Sequence, residues 1–136
     1  MVGKGGPGIE GAVLAFDFGL KHIGVATGQT ITRTATGLTT LAASDGKPDW
    51  MTVRKLVSEW RPIRLIVGLP LNMDDSESEM SERARAFAAR LGKETGLQVE
   101  LADERLTSRA VADRDGDQAH AEAAALIAET WLNALG

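Results

Sequence analysis

Residues 13 to 28 read Val-Leu-Ala-Phe-Asp17-Phe-Gly19-Leu-Lys21-His22-Ile-Gly24-Val-Ala-Thr-Gly28, and this stretch constrains the fold more than any other. A short apolar run, Val13 to Phe16, ends in one carboxylate. A turn containing glycine follows, and then a second apolar run, Ile23 to Ala26. The pattern is that of a β-hairpin with Asp17 set into its first strand. An ionised side chain among apolar neighbours is costly unless a cation or a hydrogen bond compensates it. A metal ion can do so, and so can the backbone amides of the turn itself. The segment alone leaves both readings open.

Downstream, apolar periodicity sets out the remaining elements. Thr32 to Leu41 is expected to be a third strand, followed by a loop with turn chemistry at Ser44-Asp45-Gly46-Lys47-Pro48. Trp50, Val53, Leu56, Val57 and Trp60 recur at three- and four-residue steps, which marks an amphipathic helix ended by Pro62. Ile63 to Val67 reads as a buried parallel strand, and Gly68-Leu-Pro70-Leu-Asn72 as the loop leaving it. Ser76 to Gly92 is a second helix, acidic at its start and basic later, in keeping with the macrodipole, with Gly96 as its stop. Leu97 to Ala102 alternates as a half-buried strand, with Asp103-Glu104-Arg105 at its C-terminal end. Leu106 to Ala112 is expected as a short helix, Asp113 to Gln118 as a polar loop, and Ala119 to Leu135 as the last helix.

Three antiparallel strands followed by parallel ones with helical crossovers make an α/β fold with a mixed five-stranded sheet flanked by helices. Ligands of such sheets gather where strands end and the order reverses. Asp17 and the Asp103-Glu104 pair both belong near such ends. The 136 residues suit one domain, taken as residues 12–136 behind a Gly-rich tail at 1–11 that has no apolar segment of the signal-peptide kind. No run is long enough to cross a bilayer. With no cysteine in the chain, thiolate zinc sites, disulfides and thiol nucleophiles are excluded. A cytoplasmic location without membrane association is the expectation, and nothing in the chain specifies an oligomeric state.

The net charge of −4 argues against indiscriminate binding of nucleic acid. It is unevenly spread: residues 1–64 carry eight Lys or Arg against five acids, and residues 65–136 seven against fourteen. A chain that gathers carboxylates at one place can look acidic overall and still present basic flanks. Hydrolysis of a phosphodiester needs an activated water and a stabilised leaving oxygen. Two divalent ions about 3.5–4 Å apart, held by carboxylates from several elements, supply both. Hard cations choose oxygen ligands, so Asp17 and Glu104 are the candidate acids. A surface ion pair of Glu104 with Arg105, or a role as a helix-entry residue, is the competing reading. Lys21 and His22, beside Asp17, have the best claim to contact phosphate. Trp50, Trp60 and Trp131 sit at core spacings and are expected to pack rather than stack on bases; Arg83, Arg85 and Arg90 could track a nucleic-acid backbone, with a solvated helix face as the preferred reading.

Four blocks in order resemble the YqgF family, also called RuvX-like or Holliday-junction resolvase-like. They are Asp17-Phe18-Gly19 with Gly24-Val25-Ala26, Gly68-Leu-Pro-Leu-Asn72-Met-Asp74, Asp103-Glu104-Arg105-Leu106-Thr107-Ser108, and Ala123-Ala124 with Trp131-Leu132. The match runs from about residue 12 to 135. The resemblance implies an RNase H-like fold and a nuclease that uses Mg²⁺ or Mn²⁺ and processes the 5′ end of pre-16S ribosomal RNA. Branched DNA as the substrate, or a non-catalytic RNA-binding assembly role, are the alternatives. Carried over residue by residue, Asp17 and Glu104 become metal-binding carboxylates, while Asn72, Arg105 and Thr107 lie near substrate. The third acid of the family falls on His120, an imidazole able to bind Mn²⁺. Asp117, one helical turn earlier, or Glu122 could supply the missing charge. His22 stands where the family usually has Arg and Asp75 where it has Gly. The acidic stretch Asp113 to Asp117 replaces a loop that is often Lys-rich. An actin-like ATPase shares the Asp-x-Gly motif, but this chain is too short for its two lobes.

Overall fold

The computed structural model describes residues 10–70, 78–103 and 116–135, with the side chains of 116–118 outside the description. In chain order the elements are β1 (Ala12–Asp17), β2 (His22–Gln29), β3 (Thr34–Ser44), β4 (Lys47–Pro48), α1 (Trp50–Trp60), β5 (Arg64–Leu69), α2 (Glu79–Thr95), β6 (Val99–Asp103) and α3 (Gly116–Asn133). They form one mixed sheet in the order β4-β3-β2-β1-β5-β6. β1 pairs antiparallel with β2 and parallel with β5, and β5 pairs parallel with β6.

The sheet has six strands where five were expected. The extra one comes from the segment read as a loop. Asp45 and Gly46 both take positive φ, 53° and 81°, as a two-residue turn of the I′ kind requires. β3 therefore runs on to Ser44, and Lys47–Pro48 pairs back against it. α3 also begins earlier than expected, at Gly116, so Gly116 to Gln118 are helical rather than loop. The expected helix at 106–112 and the start of α2 before Ser78 lie outside the described residues. No helix among the described residues is long and apolar enough to cross a membrane.

Helix ends follow local chemistry. Asp49 caps α1 by accepting from the Met51 amide at 3.0 Å. Ser78 and Ser81 close a capping box at the start of α2, and the Ser81 hydroxyl donates to the Pro70 carbonyl. That bond ties the helix start to the chain just past β5. Gly96, at φ +73°, ends α2 in the left-handed conformation glycine tolerates best.

Alternation along the strands divides the core in two. Leu14, Phe16, Ile23, Val25, Leu65 and Val67 face α1 and α2, where Val53, Phe87 and Leu91 complete the layer. Val13, Ala15, Ile66 and Ala102 face α3, packing on Ile127, Ala128, Trp131 and Leu132. Each large side chain buried this way contributes about 1.5–3 kcal/mol. The tryptophans divide accordingly. Trp131 is buried and Trp50 half-buried, whereas Trp60, expected in the core, is 37% exposed at the last turn of α1.

Candidate active site

Asp17 is the last residue of β1. Val13 and Ala15 face α3, so alternation places Asp17 on that same side, half-buried at the C-terminal edge of the sheet. Its partner across the hairpin is Gly24. A Cβ on Gly24 would lie 2.0 Å from the carbonyl oxygen of His120 and 2.4 Å from its carbonyl carbon. The first turns of α3 thus rest directly on the backbone of β2, in the space a side chain would fill. The contact continues on β3, where a Cβ on Gly37 would come within 3.1 Å of Ala121.

This seating sets the position of the imidazole. The His120 ring stacks on that of His22, with centroids 5.0 Å apart and planes inclined by 20°. The chain has only two histidines, and the fold brings them face to face across 98 positions of sequence. His22 is exposed and His120 half-buried. His22 has the parity of Gly24, so its ring lies on the α3 side, in the row that Asp17 closes.

The connection from β1 to β2 is held tightly. A Cβ on Gly19 would sit 2.4 Å from the His22 carbonyl oxygen. The Lys21 carbonyl accepts from the Ala43 amide at 2.9 Å, and the Leu20 carbonyl from the Gly46 amide at 2.9 Å. The Lys21 side chain is exposed beside this turn. Asp103 ends β6 in register with Leu69 at the end of β5, so the ends of β1, β5 and β6 share one edge.

Of the site residues expected from sequence, Asp17, Lys21, His22 and His120 come together at this edge. Glu104, Asn72, Arg105 and Thr107 lie outside the described residues. Asp117 falls in the first turn of α3, with its side chain outside the description. Among the described residues, no group of three or more His, Asp or Glu side chains is placed to hold a metal ion. A carboxylate with an imidazole does fit a divalent cation as a partial donor set, and the nitrogen suits Mn²⁺ better than Mg²⁺. Sequence reasoning missed the part played by Gly24 and Gly37. Their signal was present in the small residues that alternate on β2, at Gly24, Ala26 and Gly28, facing an alanine-rich helix.

A family profile described as RuvX, Holliday junction resolvase, matches residues 11–134. A Yersinia pestis (strain Pestoides F) protein named "Putative pre-16S rRNA nuclease" is 49% identical over 131 residues, 89% of this chain and 94% of its own length. A protein of the same name from Actinobacillus pleuropneumoniae serotype 5b is 47% identical over 132 residues, 90% of this chain and 96% of its own length. Among solved structures, Thermus thermophilus RuvC in complex with a Holliday junction substrate aligns with a TM-score of 0.58 at 14% identity, covering 91% of this chain and 94% of that one. A second Thermus thermophilus RuvC structure gives 0.56 at 16% identity, covering 91% and 95%. At such identities the likeness is one of fold, the RNase H-like α/β architecture.

Proposed function

The chain belongs to the RuvX family, and on that premise we propose that it is a nuclease hydrolysing phosphodiester bonds in the 5′-end processing of pre-16S rRNA. The observation that supports the reading is that Gly24, the cross-strand partner of Asp17, carries the backbone of His120 directly over it. Two chemically suited donors from opposite ends of the chain are thereby delivered to one strand edge. Glu104, next in sequence after the last residue of β6, is the second carboxylate of the proposed set, with Asp117 as the reserve donor.

A divalent ion bound by these donors supplies charge stabilisation at the phosphoryl oxygens and lowers the pKa of a bound water, singly or as one of a pair. The chain's own residues bind and orient. Asp17 offers carboxylate oxygens at a position fixed by its pairing with Gly24. His22 covers one face of the His120 ring and restricts its rotation. Lys21, exposed at the turn, offers an ammonium to a substrate phosphate. Asn72, Arg105 and Thr107 complete the proposed substrate contacts.

The test is Asp17→Asn. It should abolish Mg²⁺- or Mn²⁺-dependent cleavage of an RNA carrying the 16S 5′ leader while thermal melting stays near that of the parent. Retained metal-dependent cleavage would refute the assignment. The profile's description favours a second substrate, the four-way DNA junction. Competition between the two nucleic acids at one stated salt concentration decides between them, because phosphate contacts make every such affinity salt-dependent. Tight binding of the RNA leader with no turnover of either substrate would point instead to a non-catalytic assembly role.

A further inference from the structure

The face of the sheet opposite α3 carries a cavity of about 240 Å³ at the same edge as Asp17. Its walls are aromatic. The rings of Phe18 and Phe87 have centroids 5.3 Å apart, and Trp50 stacks on Phe87 at 5.6 Å with 25° between planes. The guanidinium of Arg90 lies 5.3 Å from the Trp50 ring centre, and Lys47 and Arg83 stand at the rim. The volume falls below the roughly 300–1,000 Å³ of pockets that enclose a drug-sized ligand, and suits one planar group. Flat π surfaces with guanidinium planes are the surroundings in which unpaired bases stack.

The cations are available for phosphate. Arg83 pairs with Asp45 at 3.0 Å and Glu79 at 3.7 Å, and Arg90 with Glu94 at 2.7 Å. The Arg83 pairs are exposed, worth little and exchange easily, whereas Arg90 is held by the better-covered Glu94. The Phe18 ring is packed directly against the Gly46 turn. A Cβ on Gly46 would come within 2.8 Å of the Phe18 ring, and the turn bearing Gly46 is hydrogen-bonded to Leu20, three residues past Asp17.

We propose that this cavity is a base-binding subsite, which takes an unpaired base of the substrate strand beside the phosphate that passes the Asp17 edge. Asp17 and Phe18 are consecutive, and they face opposite sides of the sheet. A strand crossing this edge meets the carboxylate on one side and the aromatic cavity on the other. Paired bases, locked in their stack, could not enter, so the subsite selects single-stranded or splayed nucleic acid. The proposal rests on the nuclease reading and names the strand geometry that such a nuclease accepts.

The experiment measures binding of a fluorescent four-nucleotide RNA, and of the same backbone with abasic sugars throughout, to the Asp17→Asn protein. The base-bearing strand should bind about tenfold more tightly. Ala86 lines the cavity from the exposed side of α2, so Ala86→Phe fills it without removing a contact. That second substitution should bring the ratio to about one and leave abasic binding unchanged, with melting as the check on folding. Arg83→Ala should weaken both strands alike and reduce the salt dependence. Equal affinity for the two strands would overturn the subsite while leaving the nuclease reading intact, as would a preference that survives Ala86→Phe. Binding of neither strand would overturn both.

Discussion

Gly24→Ala is the perturbation that bears most directly on how the site is built. The added Cβ would lie 2.0 Å from the His120 carbonyl oxygen, 2.4 Å from the carbonyl carbon and 3.0 Å from the Ala121 amide nitrogen. Ordinary contact begins near 3.4 Å, so the first turns of α3 would have to rise by more than an ångström. All three atoms are backbone, and no rotamer change relieves them. Overpacking of this kind costs about 1–3 kcal/mol, partly offset by the ~0.4–1 kcal/mol gained when alanine replaces glycine in the unfolded chain. The net loss is on the order of 1–2 kcal/mol, which lowers the Tm by roughly 3–8 °C. Gly28→Ala is the control. Its Cβ meets the side-chain ends of Val13 at 3.1 Å and Leu132 at 3.2 Å, and the Thr34 carbonyl oxygen only at an ordinary 3.4 Å, so its loss should be smaller. Melting gives the stability. Cleavage assayed well below the Tm, together with imidazole proton NMR, tells whether His120 has left His22. A Gly24→Ala protein as stable as the parent, with its histidine rings still in contact, would refute the close-seating argument.

His120→Ala should remove most of the cleavage. His120→Asp, which restores the acid implied by the family resemblance, should retain activity and raise the Mg²⁺ rate relative to Mn²⁺; an unchanged metal ratio would take residue 120 out of the site. The Glu94 carboxyl is held below its ordinary 4.5, first by the hydrogen bond from Arg90, against some desolvation, with the charges of Arg90 and Arg54 adding to the effect. A depressed folded-state pKa means that the stabilisation is complete above the unfolded value and is lost as pH falls through the folded one. Glu94→Gln should therefore lower the Tm at pH 7 and converge with the parent below pH 4.5, as followed by melting across pH. Trp131→Phe deletes the Nε1–H donated to Glu100 at 3.0 Å. It should cost about 1–2 kcal/mol in denaturant unfolding without changing the metal dependence of cleavage.

The hairpin, the two crossover helices and the succession of elements along the chain were legible because each is written in residues close together in the chain. Asp17 could be identified for the same reason, as one carboxylate ending an apolar run. The sixth strand was missed although Asp45-Gly46 is a dipeptide that tight hairpin turns favour, because the two residues Lys47–Pro48 are too few to show an alternating pattern. Only the positive φ of both Asp45 and Gly46 turns that segment into a tight return. Trp60 was misread because its spacing matches Trp50 and Val53, yet at the last turn of α1 it stays 37% exposed, bordering an open groove with Leu38 and Leu41 of β3. The beginning of α3 was placed late because Gly116 and Asp117 are poor helix formers, although the helix starts at Gly116.

His120 shows where sequence reasoning stops. The resemblance singled out its position, but nothing near it in the chain shows what it will touch. Its placement comes from glycines about a hundred residues earlier, through a contact that exists only after the sheet has formed. Asp17 and Gly24, by contrast, meet as soon as the hairpin closes. The site is therefore assembled from an early local half and a late long-range half, and the late half depends on the same helix that buries Ile127, Ala128 and Leu132. Substitutions that loosen α3 will lower stability and displace the imidazole together. His22 is the exception. Exposed and off the core, it touches His120 without supporting the helix, so His22→Ala should alter metal response while leaving the Tm within about 0.5 kcal/mol-equivalent of the parent. A change in both would mean that the stacked pair is part of what holds α3 down.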